Sequence, residues 1–311
     1  MFNHIKDLIR RRATSRATDV GINNDDSSRI SISAPSLTSP EPVPDDPSTP
    51  IHVQRANTNG PKFQFMSDLH LERTAYAAFN IPSKAPYLIL AGDIGRFADR
   101  THLFAFLEEQ CQKFERVLYV PGNHEFYGTS RPEGLRAAGE IETRLEGRLT
   151  VMHRTRMDFA TENGNVVVLG CTMHSHIPDD TQGLTSDFAR ISDWTVADHN
   201  AEHLRDVCWL EDSLNEIHSS DPDARVIIAT HYAPEFKRTN HPRLRDSKVK
   251  YCFSSHTLEA AQSWKGIGQV SHWIFGHTHY NAWFQVRGIV IVSNTPWDHE
   301  CRRRFDAEST I

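Results

Sequence analysis

Residues 117–125 read Val117-Leu118-Tyr119-Val120-Pro121-Gly122-Asn123-His124-Glu125. Four apolar residues, β-branched and aromatic types among them and stopped by Pro-Gly, predict a buried strand. Beyond the stop come an amide, an imidazole and a carboxylate. The arrangement recurs in four more places. Phe63, Phe65 and Met66 lead into Asp68-Leu69-His70, and Tyr87-Leu88-Ile89-Leu90 into Gly92-Asp93. Val226-Ile227-Ile228-Ala229 lead into Thr230-His231, and Trp273-Ile274-Phe275 into Gly276-His277-Thr278-His279. In folds that alternate strands and helices, ligands bind beyond the carboxyl ends of the strands, so five such loops can converge.

Between these strands lie apolar residues at steps of three and four. Leu103, Leu107, Cys111 and Phe114 predict one helix, Leu135, Ala138, Ile141 and Leu145 a second, and Val207, Leu210, Leu214 and Ile217 a third. Val166-Val167-Val168-Leu169 reads as a further buried strand. Trp283-Phe284-Gln285-Val286 and Ile289-Val290-Ile291-Val292, joined at Arg287-Gly288, read as an antiparallel hairpin. The alternation predicts an α/β core, and the hairpin makes the sheet mixed.

The 311 residues divide into a tail over 1–60, one domain over 61–300 and a C-terminal tail over 301–311. Residues 27–50, dominated by Ser, Thr and Pro, bury too little apolar surface to offset their ordering entropy, which predicts disorder. Before them, Phe2, Ile5, Leu8 and Ile9 share one helical face beside Arg10, Arg11 and Arg12. This reads as a frayed basic helix. An organelle-targeting or membrane-surface segment is the alternative, and Asp7 weakens the reading as a transit peptide. No apolar run is long enough to span a bilayer. Arg302, Arg303 and Arg304 read as a solvated end. The 5 scattered cysteines contain no CxxC pair and fit a reducing, cytoplasmic compartment. Cys111, Cys171 and Cys208 read as small core residues. A net charge of -6 argues against a general nucleic-acid partner, although a local basic groove stays open. The unusual count is 18 histidines, and His is the commonest metal ligand.

Carboxylate and amide oxygens favour Mn or Mg, and imidazole favours Zn, Fe or Ni. The mixture argues against Ca, which takes oxygen only, and against a closed structural zinc site. Two divalent ions about 3.5–4 Å apart clamp the attacking and leaving oxygens of an in-line displacement. One carboxylate must then bridge them, a water held between them is acidified, and a free His can protonate the leaving alkoxide.

Asp68-x-His70, Gly92-Asp93, Gly122-Asn123-His124-Glu125, His231 and Gly276-His277-x-His279, in this order, resemble the full signature of the calcineurin-like metallophosphoesterases. The likeness covers roughly residues 62–295. It implies a four-layer α-β-β-α sandwich of two mixed sheets. It implies that Asp68, His70 and His279 bind one metal and that Asn123, His231 and His277 bind the other. Asp93 then bridges, and His124 is the proton donor. The implied cofactors are two divalent ions (Mn, Fe or Zn), with a bridging hydroxide as nucleophile, and the implied substrate is a small phosphate mono- or diester. The Ser/Thr protein phosphatase branch carries Asp-Arg-Gly after its Gly-Asp block and Arg before its Gly-Asn-His. Here Ile94-Gly95-Arg96 and Val120-Pro121 stand instead, which disfavours protein phosphatase activity. Ser67-Asp68-Leu69-His70-Leu71-Glu72 is closer to the uncharacterised bacterial and fungal phosphoesterases, which are compared with class III cyclic-nucleotide phosphodiesterases. Where those relatives have Asn-Pro-Arg-Gly, this chain has Asn294-Thr295-Pro296-Trp297.

Alone, Asp68 or Asp93 reads as a cap and His231 as a core histidine; within the set, ligation is the better reading. His277 and His279 point the same way if their segment is extended. Glu125 reads as structural. Residues 172–200, with His174, His176, Asp187 and Arg190, read as a polar lid or binding loop. In it Arg190 is either a phosphate clamp or the surface ion-pair partner of Asp187 or Asp193. The sequence thus predicts a metal-dependent phosphoesterase, with a catalytically inactive metal-binding scaffold and a nuclease as rivals. Nothing in it fixes the oligomeric state.

Overall fold

The computed structural model describes residues 60–162, 164–297 and 304–311. The basic N-terminal stretch, the Ser/Thr/Pro-rich segment, Arg302 and Arg303 lie outside these. Among the described residues, ten strands form two sheets. The first has the order β1-β2-β3-β4, with β1 Phe63–Met66, β2 Tyr87–Ala91, β3 Arg116–Val120 and β4 Leu149–Val151. The second has the order β5-β6-β7-β8-β10-β9, with β5 Thr155–Thr161, β6 Gly164–Cys171, β7 Arg225–Thr230, β8 Val270–Ile274, β9 Trp283–Val286 and β10 Ile289–Val292. Every β1–β4 pairing is parallel. The second sheet has a parallel centre and antiparallel edge pairs β5–β6 and β9–β10.

Alternation along each central strand sorts side chains to two cores. Leu88 and Leu90 of β2 and Val117 and Tyr119 of β3 face the helical side with α1 (Arg100–Lys113) and α2 (Arg131–Arg144). Ile89, Ala91, Leu118 and Val120 face the other sheet, where they meet Ile227, Ala229 and Ile274. Val226 and Ile228 face α4 (Val196–Ser220), which follows the single-turn α3 (Asp187–Arg190). The short α5, Thr257–Ala261, adds Leu258 and Ala261 to the same cluster. Helices therefore cover the outer faces of two packed sheets, the layering expected. Each fully buried Leu or Ile contributes on the order of 1.5–3 kcal/mol.

The hairpin turn is where the sequence puts it: Arg287 (φ 45°) and Gly288 (φ 92°) are both left-handed, as a two-residue turn between paired Val286 and Ile289 requires. Four regions depart from expectation. β4 and β5 are not announced by an apolar run. The supposed irregular loop over 172–200 holds α3 and the start of α4, and it buries His174, Asp187 and His199. The first turns of α4 hide His199, His203 and Asp206 rather than apolar residues, so no hydrophobic period marks them. Within the expected C-terminal tail, Ile311 exchanges two backbone hydrogen bonds with Phe63 (3.0 and 2.9 Å), adding antiparallel pairing to the first sheet, while Arg304 is exposed. Cys111 and Cys171 are buried as expected, and Cys208 is half-buried. Among the described residues no helix is long and apolar enough to cross a membrane.

Candidate metal centre

The five loops meet at the carboxyl ends of β1, β2, β3, β7 and β8. The backbone ties them first. Asp68 N–H donates to the Gly92 carbonyl (2.8 Å), His70 N–H to that of Asp93 (2.9 Å) and Gly276 N–H to that of His231 (2.9 Å). Glu125 then braces two loops from beneath. Its buried carboxylate accepts from the N–H groups of Asp93 (3.0 Å), Ile94 (2.7 Å) and Gly122 (2.7 Å) and from the Tyr119 hydroxyl (2.7 Å). This is the structural part the sequence suggested for it.

Glycine beside the candidate ligands clears space. A Cβ on Gly122 would stand 2.3 Å from Asp93 Oδ1, and one on Gly92 2.3 Å from His231 Nδ1. The unusual backbone angles fall mainly on the polar residues themselves. Asp68 (φ 55°), His70 (47°), Asp93 (54°), His277 (67°) and His279 (50°) are all left-handed. Such conformations cost of order 1 kcal/mol each, and they persist where the surroundings over-determine them, typically at functional sites. His277 and His279 are therefore not on one extended segment. The Asp68 carboxylate accepts from the His277 N–H (2.9 Å) and turns the chain there.

Among the described residues, three groups of side chains could each hold a cation: Asp68, His70 and His279; His70, Asp93 and His124; Asp93, His231 and His277. Asn123 joins the last, its Oδ1 3.0 Å from His231 Nε2. Its amide is oriented from behind, because Nδ2 donates to Asp187 Oδ1 (2.9 Å) and to the Tyr127 hydroxyl (3.1 Å). The imidazoles are oriented likewise. His231 Nδ1 donates to the Ala91 carbonyl (2.9 Å) and His277 Nε2 to that of Cys252 (3.1 Å), so their other nitrogens face the cluster. His70 Nε2 and His279 Nε2 are 2.9 Å apart, a separation that requires a proton or a cation between them. The oxygen and imidazole donors suit divalent ions of intermediate hardness.

The electrostatics are dominated by Asp93. Burial opposes its charge, but His231, His124 and His70 outweigh burial and hold the carboxyl well below the usual range. In return, although burial disfavours an imidazolium, Asp93 pushes His231 up to about 9. His277 is driven well below its ordinary value by burial and by the neighbouring His231. His124 is opposed by burial but raised by Asp93 and Glu72.

All eight candidate residues (Asp68, His70, Asp93, Asn123, His124, His231, His277 and His279) come together. Arg190 is exposed at the rim, its guanidinium 5.4 Å from the centroid of the Tyr127 ring, which in turn lies 4.2 Å from that of His124. Among the described residues it makes no ion pair with Asp187 or Asp193. Asp187 is buried and committed to Asn123, Tyr127 and Tyr232. His174 and His199 lie behind the centre, against Tyr232. The sequence does not single out Glu72, Tyr127 or Tyr232 for a role at the centre. Only Glu72, two residues after His70 in the same loop, carries a signal.

The chain belongs to the calcineurin-like phosphoesterase family, whose model matches residues 61–281. It is a hydrolase of phosphate esters in a metal-dependent family. It is 25% identical over 280 residues to the uncharacterized protein L509 of Acanthamoeba polyphaga mimivirus, covering 80% of this chain and 95% of that protein. The fold is similar to that of the phosphopantetheinyl hydrolase PptH from Mycobacterium tuberculosis (TM-score 0.56, 15% identity, 76% of this chain and 89% of that one). A dimetal phosphatase from Danio rerio is more distant (TM-score 0.43, 16% identity, 75% and 87% covered).

Proposed function

We propose that the chain hydrolyses a small phosphate mono- or diester at a centre of two divalent ions. The observation that carries this reading is the division of Asp93. Its Oδ1 faces His231 Nε2 (3.3 Å), and its Oδ2 faces His70 Nε2 (3.8 Å). One carboxylate thus belongs to a group on either side of it. Asp68, His70 and His279 would hold one ion, Asn123, His231 and His277 the other, with Asp93 shared. The ions would neutralise phosphoryl charge and activate the attacking water.

The rest is done by the protein. Asp187 and the backbone carbonyls hold Asn123, His231 and His277 in orientation. His124, more exposed than the buried His70 and His231, reaches the open side, where its ring can give a proton to the leaving oxygen. Arg190 grips a substrate phosphate oxygen across the Tyr127 ring.

The test is metal content together with hydrolysis of bis-p-nitrophenyl phosphate and p-nitrophenyl phosphate in Mn. Two ions per chain with turnover of either ester is the expected result. Turnover of the diester alone would specify a phosphodiesterase. Two bound ions without turnover would overturn the reading in favour of a metal-binding scaffold.

A further inference from the structure

Glu72 is a carboxylate beside the centre whose hydrogen bonds to other residues go to two of the histidines gathered there. Leu71–Thr74 form a 3-10 turn directly after left-handed His70, which folds the Glu72 side chain back under the site, where it is 8% exposed. One of its oxygens, Oε1, accepts from two rings, His124 Nδ1 at 2.9 Å and His70 Nδ1 at 3.2 Å. Those rings stand edge to face, 4.4 Å between centroids. Its other oxygen, Oε2, is buried and has no hydrogen-bond partner among the described residues.

Glu125 shows what a purely structural carboxylate does here: both its oxygens are used by backbone N–H groups of two loops. Glu72 does the opposite. Among the described residues, its hydrogen bonds to other side chains go to the two histidines. A carboxylate only accepts, so both Nδ1 atoms must carry hydrogen, and both Nε2 atoms must face the centre. His70 Nε2 meets His279 and Asp93, and His124 Nε2 lies 4.0 Å from Asp93 Oδ2.

We propose that Glu72 is a positioning residue that fixes the tautomer and ring angle of His70 and His124 together, holding a metal ligand and the proton donor in register through one oxygen. The proposal rests on the reading of His124 as proton donor given above.

The experiment uses the full chain with Glu72→Met, of similar length but without an acceptor, and Glu72→Gln, which keeps an acceptor oxygen. In the metal-free protein, imidazole 15N resonances should show Nδ1–H for His70 and His124 in the native chain and in Glu72→Gln, and lose that state in Glu72→Met. With saturating Mn, Glu72→Met should lower kcat for phenyl phosphate esters by about 10- to 100-fold more than for p-nitrophenyl esters, whose better leaving group needs less protonation. Glu72→Gln should stay within about tenfold of the native chain on both. Equal losses on both esters, or unchanged nitrogen resonances in Glu72→Met, would overturn the proposal. If that variant does not fold, Glu72→Asp keeps the charge but withdraws the oxygen by about one bond length, and the same selective loss is expected of it. His124→Ala separates the two readings. If it shows no leaving-group dependence, the proton-donor role fails. If it does and the Glu72 variants do not, only the positioning role fails.

Discussion

Asp187 accepts a hydrogen bond from the side-chain amide of Asn123 at 2.9 Å, although the two are separated by 64 residues. The same carboxylate takes the hydroxyls of Tyr127 (2.7 Å) and Tyr232 (3.1 Å), so one buried acid sets which end of the Asn123 amide faces the metal groups.

Asp187→Ala should therefore let the amide turn and leave two buried hydroxyls without their acceptor. Metal affinity should fall about 10- to 100-fold, as it does when groups behind metal ligands are removed. Stability should fall by about 1–3 kcal/mol per orphaned group. Calorimetric titration with Mn and urea unfolding measure the two effects. An unchanged metal affinity would mean that Asn123 is held some other way.

Gly122→Ala should damage the centre directly. The added methyl would lie 2.3 Å from Asp93 Oδ1 and 2.6 Å from the Asp93 backbone nitrogen, and neither can swing away. Asp93 must shift, and with it the carboxylate shared by two groups. Elemental analysis of the purified variant should find less than half the metal of the native chain, on the order of a tenfold loss in affinity. Full occupancy would count against the close approach.

Arg190→Ala should raise KM for a phosphate ester several-fold while changing kcat by less. The guanidinium touches no candidate metal ligand, and removing a contact made equally in ground and transition states raises KM alone. Steady-state kinetics decide it. Unchanged KM would leave Arg190 a surface residue.

Three histidines outside the centre, His153, His199 and His203, should make the fold sensitive to acid. Burial pushes His153 and His203 down to about 4 and His199 to about 3, from an ordinary 6.5. In the unfolded chain each takes up a proton near 6.5. Between that value and about 4 the unfolded state therefore binds more protons, and stability falls as pH is lowered. Each ring adds at most about 1.4 kcal/mol per pH unit. Asp206, raised by burial, works in the other direction as a single group. Thermal unfolding at pH 7 and pH 5 should show a clear drop in Tm, smaller in His153→Gln. An equal drop in both would clear His153 of any part in it.

The sequence showed most plainly what depends on one strand and the loop after it. Apolar runs such as Val226-Ile227-Ile228-Ala229 alternate between two cores, and polar residues such as His231 follow immediately. What escaped depends on partners remote in the chain. Asp187 looks like a surface acid until Asn123 and two tyrosines are placed around it. The start of α4 hides His199 and Asp206, so it lacks an apolar stripe, although Thr195 and Asp198 form a capping box there. The orientation of His277 and His279 could not be read from their spacing, because it depends on Asp68 capturing the His277 N–H.

The left-handed backbone at Asp68, His70, Asp93, His277 and His279 narrows what mutation can do to this chain. Asp, Asn and His are the side chains that both bind metals and tolerate that conformation, with Gly as the non-ligating exception. Drift towards Glu or Gln, which keeps donor atoms, meets a backbone that resists it. Drift towards Asn or Gly meets none. Descendants of this sequence that abandon catalysis should therefore carry Asn or Gly at these five positions, with the surrounding fold intact.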